Sequence, residues 1–380
     1  MSKRVSMDWT LFFTVAVMVA AGLIMIYSAS SITAQALYNK PPYYFLLMQL
    51  GWAVAGFIAL MLLRRFDYRK LRRPEYAFGP LAVVLFLLPV AYFVDPRHRW
   101  IPLGIGNLQP SELAKPAMVI FLAYFLTWRQ AAINNTRFTL WPAAMLLGVL
   151  FLLVAIADLG TAVVLAFTAV IMFYVAGLDR RFLMTAGSLA IICIGIAIVA
   201  KPYRLRRVVE MADPTYELVD KYDISGKIKS YIYSSASVSD TGYQARQAKI
   251  AHGSGGVFGL GLMHGRQKHF YLPESHTDFI YAVIGEELGL WGAGAVLFGY
   301  FVIIWRGIRI FLLTPDDFGR MLALGLTIAI GFQALMNITV VLGLGPTKGI
   351  PLPMISYGGS SLMATLASLG ILLNVSENAG

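Results

Sequence analysis

Charged side chains are scarce in this chain. Of its 380 residues only 13% are charged, whereas 58% are hydrophobic. A soluble domain carries charge on about a quarter of its residues, so this scarcity excludes an ordinary soluble fold. The chain instead contains a series of apolar stretches of roughly 18 to 25 residues, each long enough to cross the hydrocarbon core of a bilayer. The composition therefore predicts an all-α, polytopic membrane protein.

Cysteine and metal-binding patterns are also scarce. The single cysteine, Cys193, excludes an intrachain disulfide and any cysteine-based metal site. The five histidines are His98, His252, His264, His269 and His276. No two of them have the spacing of a helical ligand pair, which argues against a zinc site. A Walker loop is excluded because its GK[ST] ending is missing, and no basic and aromatic soluble module is present to bind nucleic acid.

Hydropathy predicts about ten transmembrane helices in a single domain covering residues 1–380. A large extracytoplasmic loop, about residues 201–276, is expected between spans seven and eight. The expected spans are Trp9–Ser28, Tyr44–Leu63, Tyr76–Val94, Leu113–Trp128, Leu140–Ala157, Thr161–Gly177, Leu183–Ala200, Thr277–Ile304, Met321–Leu342 and Pro353–Asn374.

Basic residues in the short loops set the expected orientation, because Lys and Arg there resist translocation. They cluster in residues 64–75 and in three other short loops on the same side of the ten spans. Both termini are therefore expected in the cytoplasm, with the chain in the cytoplasmic membrane. The 201–276 loop on the other side is also basic, and the net charge is +11. This excess indicates an anionic partner at the outer face.

The stretch Gln267–Gly289 places polar and acidic residues directly before an apolar span. Pro273 restricts the backbone, and Ser275 or Thr277 is expected to cap the helix, so that Asp278 falls in or near its first turn. Asp278 then either complements the helix dipole or serves as a general base at the outer membrane surface. The dipole is expected to lower the pKa of Asp278 and to keep it ionised.

Ionisable residues also occur within the spans, where they are costly and need a partner or a wet cavity. Glu286 and its neighbour Glu287 lie about two turns beyond the start of the span. Ser111 is expected to cap a helix that carries Glu112 and Lys115 three residues apart on one face. Lys115 pairs either with Glu112 or, across the bundle, with Glu286; both pairings stay open.

Glycine is concentrated in the segment Ile250–Gln267. Lys249 directly precedes this segment, and Arg266 lies at its end. Backbone amides in such a segment form either an anion-binding nest or re-entrant turns at the membrane surface. A second glycine-rich segment, Gly345–Ser361, places Lys348 on the outer side of the membrane.

Five sequence blocks stand out, in order, over nearly the whole chain. They are RWIPLGIGNLQPSELAK, DLGTAVV, AKIAHGSGGVFGLGL, RQKHFYLPESHTDFIYAVIGEELG and GPTKGIPLPMISYGGSS. Together they resemble the SEDS family (shape, elongation, division and sporulation). Lys348 and the RQK before Asp278 make the chain more similar to the FtsW branch than to the RodA branch. Two features depart from the family pattern. His252 replaces an apolar residue, and the stretch Thr215–Asp240 is longer than usual.

The resemblance implies a peptidoglycan glycosyltransferase that polymerises lipid II at the outer face of the cytoplasmic membrane, at the division septum. It also implies a class B penicillin-binding transpeptidase and other division proteins as partners. The family's essential aspartate corresponds to Asp278, and its QPSELAK carboxylate and lysine correspond to Glu112 and Lys115. The lysine of its TKG motif corresponds to Lys348.

A mechanism follows from this resemblance and from the placement of charge. Asp278 takes the proton of an acceptor hydroxyl, and cations offset charge on the departing lipid-linked pyrophosphate. The expected substrate-binding residues are Lys348, Glu112, Lys115, Arg206, Arg207, Lys249 and Glu286. The sequence identifies no definite cofactor, and a divalent cation, Mg or Mn, on Asp278 and a substrate phosphate stays open. The alternatives are a lipid II flippase, a RodA-like elongation polymerase and a scaffold for division proteins.

Overall fold

The computed structural model describes residues 6–96, 98–102, 104, 106–213, 223, 226, 230–232, 241–268, 271–345 and 349–378. Within these ranges the chain is built mainly of helices. They are α1 (Trp9–Ala36), α2 (Tyr44–Arg65), α3 (Pro74–Val94), α4 (Pro110–Trp128), α5 (Trp141–Ala157), α6 (Leu159–Val175), α7 (Arg180–Val199), α8 (Pro202–Ala212), α9 (Thr241–Ser254), α10 (Ile280–Leu313), α11 (Asp317–Val341) and α12 (Gly359–Glu377). Two short strands, β1 (Ile101–Pro102) and β2 (Asn107–Leu108), form an antiparallel hairpin between α3 and α4.

The ten expected spans all coincide with helices. In the described ranges eight helical segments are long and apolar enough to cross a membrane, and α6 is a shorter apolar helix. The all-α polytopic membrane fold is therefore confirmed. Boundaries differ: α10 begins at Ile280 rather than Thr277, and α12 begins at Gly359 rather than Pro353. Helices α1 and α10 continue to Ala36 and Leu313, eight and nine residues past their expected ends.

Aspartates cap several of these helices. Asp8 accepts a hydrogen bond from the backbone amide of Leu11 at 3.0 Å and so begins α1. Asp158 accepts one from the amide of Gly160 at 2.9 Å and begins α6. Each carboxylate satisfies an amide that the helix itself leaves without a partner, which fixes where the helix starts.

Two capping predictions are wrong. Ser111 lies inside the first turn of α4, and its hydroxyl accepts a bond from the Gln109 side chain at 3.0 Å. The cap position of α10 is Phe279, which makes no capping side-chain bond. Ser275 and Thr277 donate their hydroxyls to carbonyl groups instead, because the chain before α10 forms a compact turn of its own.

The centre of the bundle is formed by α11 and α12, most of whose side chains are buried. They pack against α2, α4 and α10. Helices α2, α3 and α5 expose large apolar side chains such as Ile58, Phe86 and Leu152, as expected of surfaces that face lipid. At the edge of the bundle, α7 packs on α6 and α8, and every one of its side chains is at least partly exposed.

Helix α10 is broken at Gly289, where φ is 65° and ψ is −159°. Such a break frees backbone groups that a bilayer cannot satisfy. The glycine-rich segment after α9 supplies the partners: the amides of Leu260 and Gly261 donate to the carbonyls of Glu286 and Glu287, both at 3.0 Å. These two amides therefore serve the helix and are not available to an anion, which supports the re-entrant alternative for this segment.

The loop expected at about residues 201–276 contains helical structure. Helix α9 packs against α8 and, more extensively, against α10. The longer-than-usual stretch Thr215–Asp240 lies outside the described residues except at positions 223, 226 and 230–232.

Candidate active site

Asp278 lies in the turn formed by residues 271–279, two positions before α10 begins. The side chain of Asn337, on α11, holds this turn by donating to the Asp278 carbonyl at 2.8 Å. Ser356 donates in the same way to the preceding carbonyl at 2.6 Å. A Cβ atom on Gly349 would lie 2.6 Å from Asp278 Oδ2, so the glycine leaves room for the carboxylate. The carboxylate is thus enclosed between α10 and the segment that follows α11.

Burial is the main influence on the Asp278 carboxyl. Burial, followed by the negative charge of Glu274, raises its pKa to about 7 against the opposing effect of Arg99. Asp158 adds to the rise, and Arg207 acts against it. The expectation that the helix dipole lowers this pKa and keeps the group ionised is wrong. The side chain precedes the first turn of α10, where the dipole is felt most, and desolvation dominates instead.

An ion pair that the sequence analysis did not predict lies within electrostatic range of Asp278. Arg99 Nη2 is 2.9 Å from Asp158 Oδ2, and the other oxygen of Asp158 caps α6. Although burial opposes the charge of Arg99, its pKa stays above the ordinary value because Asp158, Asp278 and Glu112 surround it. The two partners are 59 positions apart, so only the fold brings them together. The one available signal was that each begins one of the five sequence blocks.

Glu112 and Lys115 form a buried polar cluster with Gln333 of α11. Lys115 Nζ is 2.7 Å from Glu112 Oε2 and also donates to Gln333 Oε1. Of the two open pairings, the structure therefore has Lys115 with Glu112 and not with Glu286. Glu112 Oε1 is buried without a hydrogen-bond partner among the described residues. It borders a cavity of about 10 Å³, close to the volume that holds one water molecule.

Glu286 and Glu287 bind the segment that precedes the Asp278 turn. Glu286 Oε1 accepts from the amides of Arg266 at 2.7 Å and Gln267 at 3.2 Å. Glu287 Oε1 is 2.7 Å from Lys268 Nζ. Because the Glu286 carboxylate is buried and engaged by these amides, its substrate-binding role stays a prediction without support from the geometry.

The cations expected to bind phosphate are placed differently. Lys249 extends from α9 to the backbone at the end of α11. A Cβ atom on the glycine at that point would lie 2.6 Å from Lys249 Nζ. Arg207 lies within electrostatic range of Asp278. Arg206 forms a 2.7 Å ion pair with a glutamate on its own helix. Lys348 lies outside the described residues, although the next residue in the chain contacts Asp278.

Within the described part of the chain, no three His, Cys, Asp or Glu side chains are arranged to hold a metal ion. The carboxyl groups of Asp278 and Asp158 share their surroundings with Arg99 and Arg207, which repel a cation. A divalent ion at Asp278 stays a prediction that depends on a substrate phosphate for additional ligands.

Residues 8–380 match the family model FTSW_RODA_SPOVE, described as "Cell cycle protein". One curated relative is the probable peptidoglycan glycosyltransferase FtsW of Geobacter sulfurreducens. It is 39% identical over 362 residues, which cover 93% of this chain and 91% of that protein.

Two solved structures resemble the chain over nearly its full length. One comes from "Structural coordination of polymerization and crosslinking by a peptidoglycan synthase complex", with a TM-score of 0.73, 28% identity and 98% of both chains covered. The other is the rod shape determining protein RodA of Thermus thermophilus, with a TM-score of 0.66 and 26% identity, covering 99% of this chain and 98% of that one. The higher identity to the FtsW relative supports the FtsW branch.

Proposed function

Because this chain belongs to the FtsW, RodA and SpoVE family, we propose that it is a peptidoglycan glycosyltransferase that polymerises lipid II into glycan strands. The observation that carries the proposal is the Asp278 carboxyl. It has a pKa of about 7, is partly enclosed, and lies within range of the cations Arg99 and Arg207. A general base is most effective when its pKa lies near the working pH.

In the proposed reaction one bond forms at the anomeric carbon of the donor sugar while another breaks. The 4-hydroxyl oxygen of the acceptor attacks that carbon, and its proton passes to Asp278. The bond to the lipid pyrophosphate breaks, and the pyrophosphate leaves with the bonding electron pair. Inversion at the carbon needs this one base, because a pyrophosphate leaves without being protonated first.

Cations offset the charge that develops on the pyrophosphate. We assign this role to Arg207 and Lys249, together with Lys348 of the TKG motif. Arg99 joins them as a residue that the sequence analysis missed. Lys115 is committed to Glu112 in this structure, so its contribution to the site is indirect.

Membership of the family supports the proposed partner and location. The proposed partner is a class B penicillin-binding transpeptidase that crosslinks the strands, within a complex of other division proteins. We propose that both termini lie in the cytoplasm, as the basic short loops indicate, and that Asp278 lies at the outer face of the membrane, at the division septum. The FtsW branch supports a division role over the RodA-like elongation role.

The decisive experiment supplies purified protein with lipid II, with and without its transpeptidase, and measures glycan polymer. Asp278→Asn and Asp278→Ala are expected to abolish polymer formation, because each removes the base while leaving the surrounding helices intact. Asp317→Asn is a matched control: it makes the same chemical change on an exposed carboxylate at the start of α11. Its rate is expected to equal that of the wild type.

Full polymerisation by Asp278→Asn would refute the proposed role of Asp278. If the wild-type protein made no polymer under either condition but moved lipid II across vesicles, the flippase alternative would replace the proposal. Transport that survives Asp278→Asn would strengthen that replacement, because binding alone does not need a base.

A further inference from the structure

A buried ion pair joins the loop before Asp278 to two membrane helices. Lys268 Nζ is 2.7 Å from Glu287 Oε1 on α10, and the exposed fractions of the two side chains are 1% and 0%. Ser28 of α1 donates its hydroxyl to the same carboxylate at 2.6 Å, and its oxygen accepts from Lys268 Nζ at 3.1 Å. We refer to Lys268, Glu287 and Ser28 as the buried triad.

The buried triad is a poor device for stability alone. Removing two charges from water costs more than a hydrophobic pair of similar size, and replacing such a pair is often neutral or stabilising. Lys268 also belongs to a loop and not to a helix, although its side chain is buried against α1 and α10. What it does is fix the position of the loop relative to α1 and α10.

Further contacts extend this attachment toward Asp278. The amide of Leu272 donates to the carbonyl of Gln267, next to Lys268, at 2.8 Å. Ser275 Oγ donates to the carbonyl of Ala29, the residue after Ser28, at 3.4 Å. The loop is therefore attached to one turn of α1 at two points, before and within the turn that carries Asp278.

We propose that the buried triad is a positioning element for Asp278: the Lys268 to Glu287 ion pair fixes the 271–279 turn, and so holds the carboxylate in its reactive position and shields it from water. The inference rests on the proposed function for its catalytic consequence. Misplacing a reactive group by about 1 Å can cost on the order of a hundredfold in rate, so a modest loosening is measurable.

Loosening the turn has a second consequence, for the pH dependence. The groups that face Asp278 are Glu274, Arg99, Asp158 and Arg207, and none of them belongs to the buried triad. Arg99, Asp158 and Arg207 lie outside the 271–279 turn and stay in place when the triad is altered, Glu274 moves with the turn, and the shielding of Asp278 decreases. Because burial is what chiefly raises the pKa of Asp278, the acid limb of the rate profile is then expected to move to lower pH.

The test uses the full-length double variant Lys268→Met with Glu287→Gln. Both side chains become neutral at similar size, so neither charge is left buried alone, and the glutamine oxygen still accepts from Ser28. We expect kcat to fall by about tenfold or more, with KM for lipid II within about twofold of the wild type. We also expect faster amide hydrogen exchange in residues 271–279 and an acid limb at lower pH.

The matched control is Asp8→Asn with Arg306→Met. This pair also joins α1 to α10, at the other end of the two helices, with 2.7 Å between Arg306 Nη2 and Asp8 Oδ2. Asparagine keeps an oxygen that caps α1. The control is expected to leave kcat, the pH profile and exchange in residues 271–279 unchanged.

Each outcome decides the question. A triad variant with wild-type kcat and pH profile overturns the inference while leaving the proposed function intact. Equal losses in the triad variant and the control also overturn it, since the role would then be structural. If the wild-type protein makes no polymer, the proposed function fails first; the positioning role is then judged by hydrogen exchange in residues 271–279 alone.

Discussion

At the scale of single residues, the carboxyl of Asp278 shows how burial and charge compete. Its pKa of about 7 lies above the ordinary value of an aspartate, with burial as the largest cause. Because the raised value belongs to the folded state, the unfolded chain gives up this proton first, and stability falls as the pH rises from about 3.8 to about 7. Below the ordinary pKa of an unfolded aspartate this destabilisation is absent. The site therefore keeps a base available near neutral pH at some cost in stability.

Glu274→Gln tests this balance. The change removes a negative charge that raises the pKa of Asp278. Glutamine keeps an oxygen to accept from the Thr277 hydroxyl, which lies 2.8 Å from Glu274 Oε2. The acid limb of the polymerisation rate is therefore expected to move below pH 7 while the rate at alkaline pH stays nearly unchanged. Initial rates measured across the acid and neutral range give the midpoint, and a midpoint that is unmoved or higher contradicts the assigned electrostatics.

At the scale of elements, the broken helix α10 and the glycine-rich segment act as one unit. Gly289 has a backbone conformation that is open almost only to glycine. A Cβ on Gly259, which packs against the break, would lie 2.2 Å from the Glu287 carbonyl oxygen. The glycines are therefore needed for close backbone contact at membrane depth, where unpaired amides and carbonyls are costly.

Backbone strain alone is expected to make Gly289→Ala destabilise the protein by about 1–3 kcal/mol. A clash adds to this, because the new Cβ would lie 2.4 Å from the Gly259 amide nitrogen. Gly294→Ala is the matched control on the same helix, since no atom lies within 4 Å of its Cβ position. There alanine is expected to be neutral or slightly stabilising. Thermal unfolding of both variants in detergent measures the difference, and equal midpoints would argue against the strain.

The sequence predicted helices well and side-chain partners poorly, for a physical reason. The spans follow from hydropathy, which is a local property of the chain. The Lys268 to Glu287 pair meets Ser28, some 240 positions before Lys268, and no local pattern encodes that contact. The predicted shift in the pKa of Asp278 had the wrong direction, because the helix was expected to begin at Thr277. A start three residues later removes Asp278 from the first turn and leaves desolvation as the main influence.

At the scale of the whole molecule, functional groups from distant parts of the chain meet at one end of the bundle. Asp278, Arg99 and Gly349 come from the loops that follow α9, α3 and α11. The proposed topology places all three loops outside the cytoplasm. The orientation is inferred from the basic loops, and the position of the site comes from the fold. The two agree, because they put all three residues on the same side of the membrane.

Cysteine labelling tests the orientation. In a Cys193→Ser background, Lys40→Cys places a thiol in the exposed loop between α1 and α2, and Asn134→Cys places one in the exposed loop between α4 and α5. A membrane-impermeant maleimide is expected to label the first variant in intact spheroplasts. It is expected to label the second only after the membrane is opened. Labelling of Asn134→Cys in intact spheroplasts would reverse the proposed topology.

The exposure of helix α7 affects how its sequence can vary among related proteins. Each of its side chains remains at least partly exposed, so its residues have few fixed neighbours within the chain. Selection on such a helix acts on length and hydropathy and hardly on the identity of individual residues. Its apolar positions are therefore free to exchange with one another, and related chains should differ most along this span.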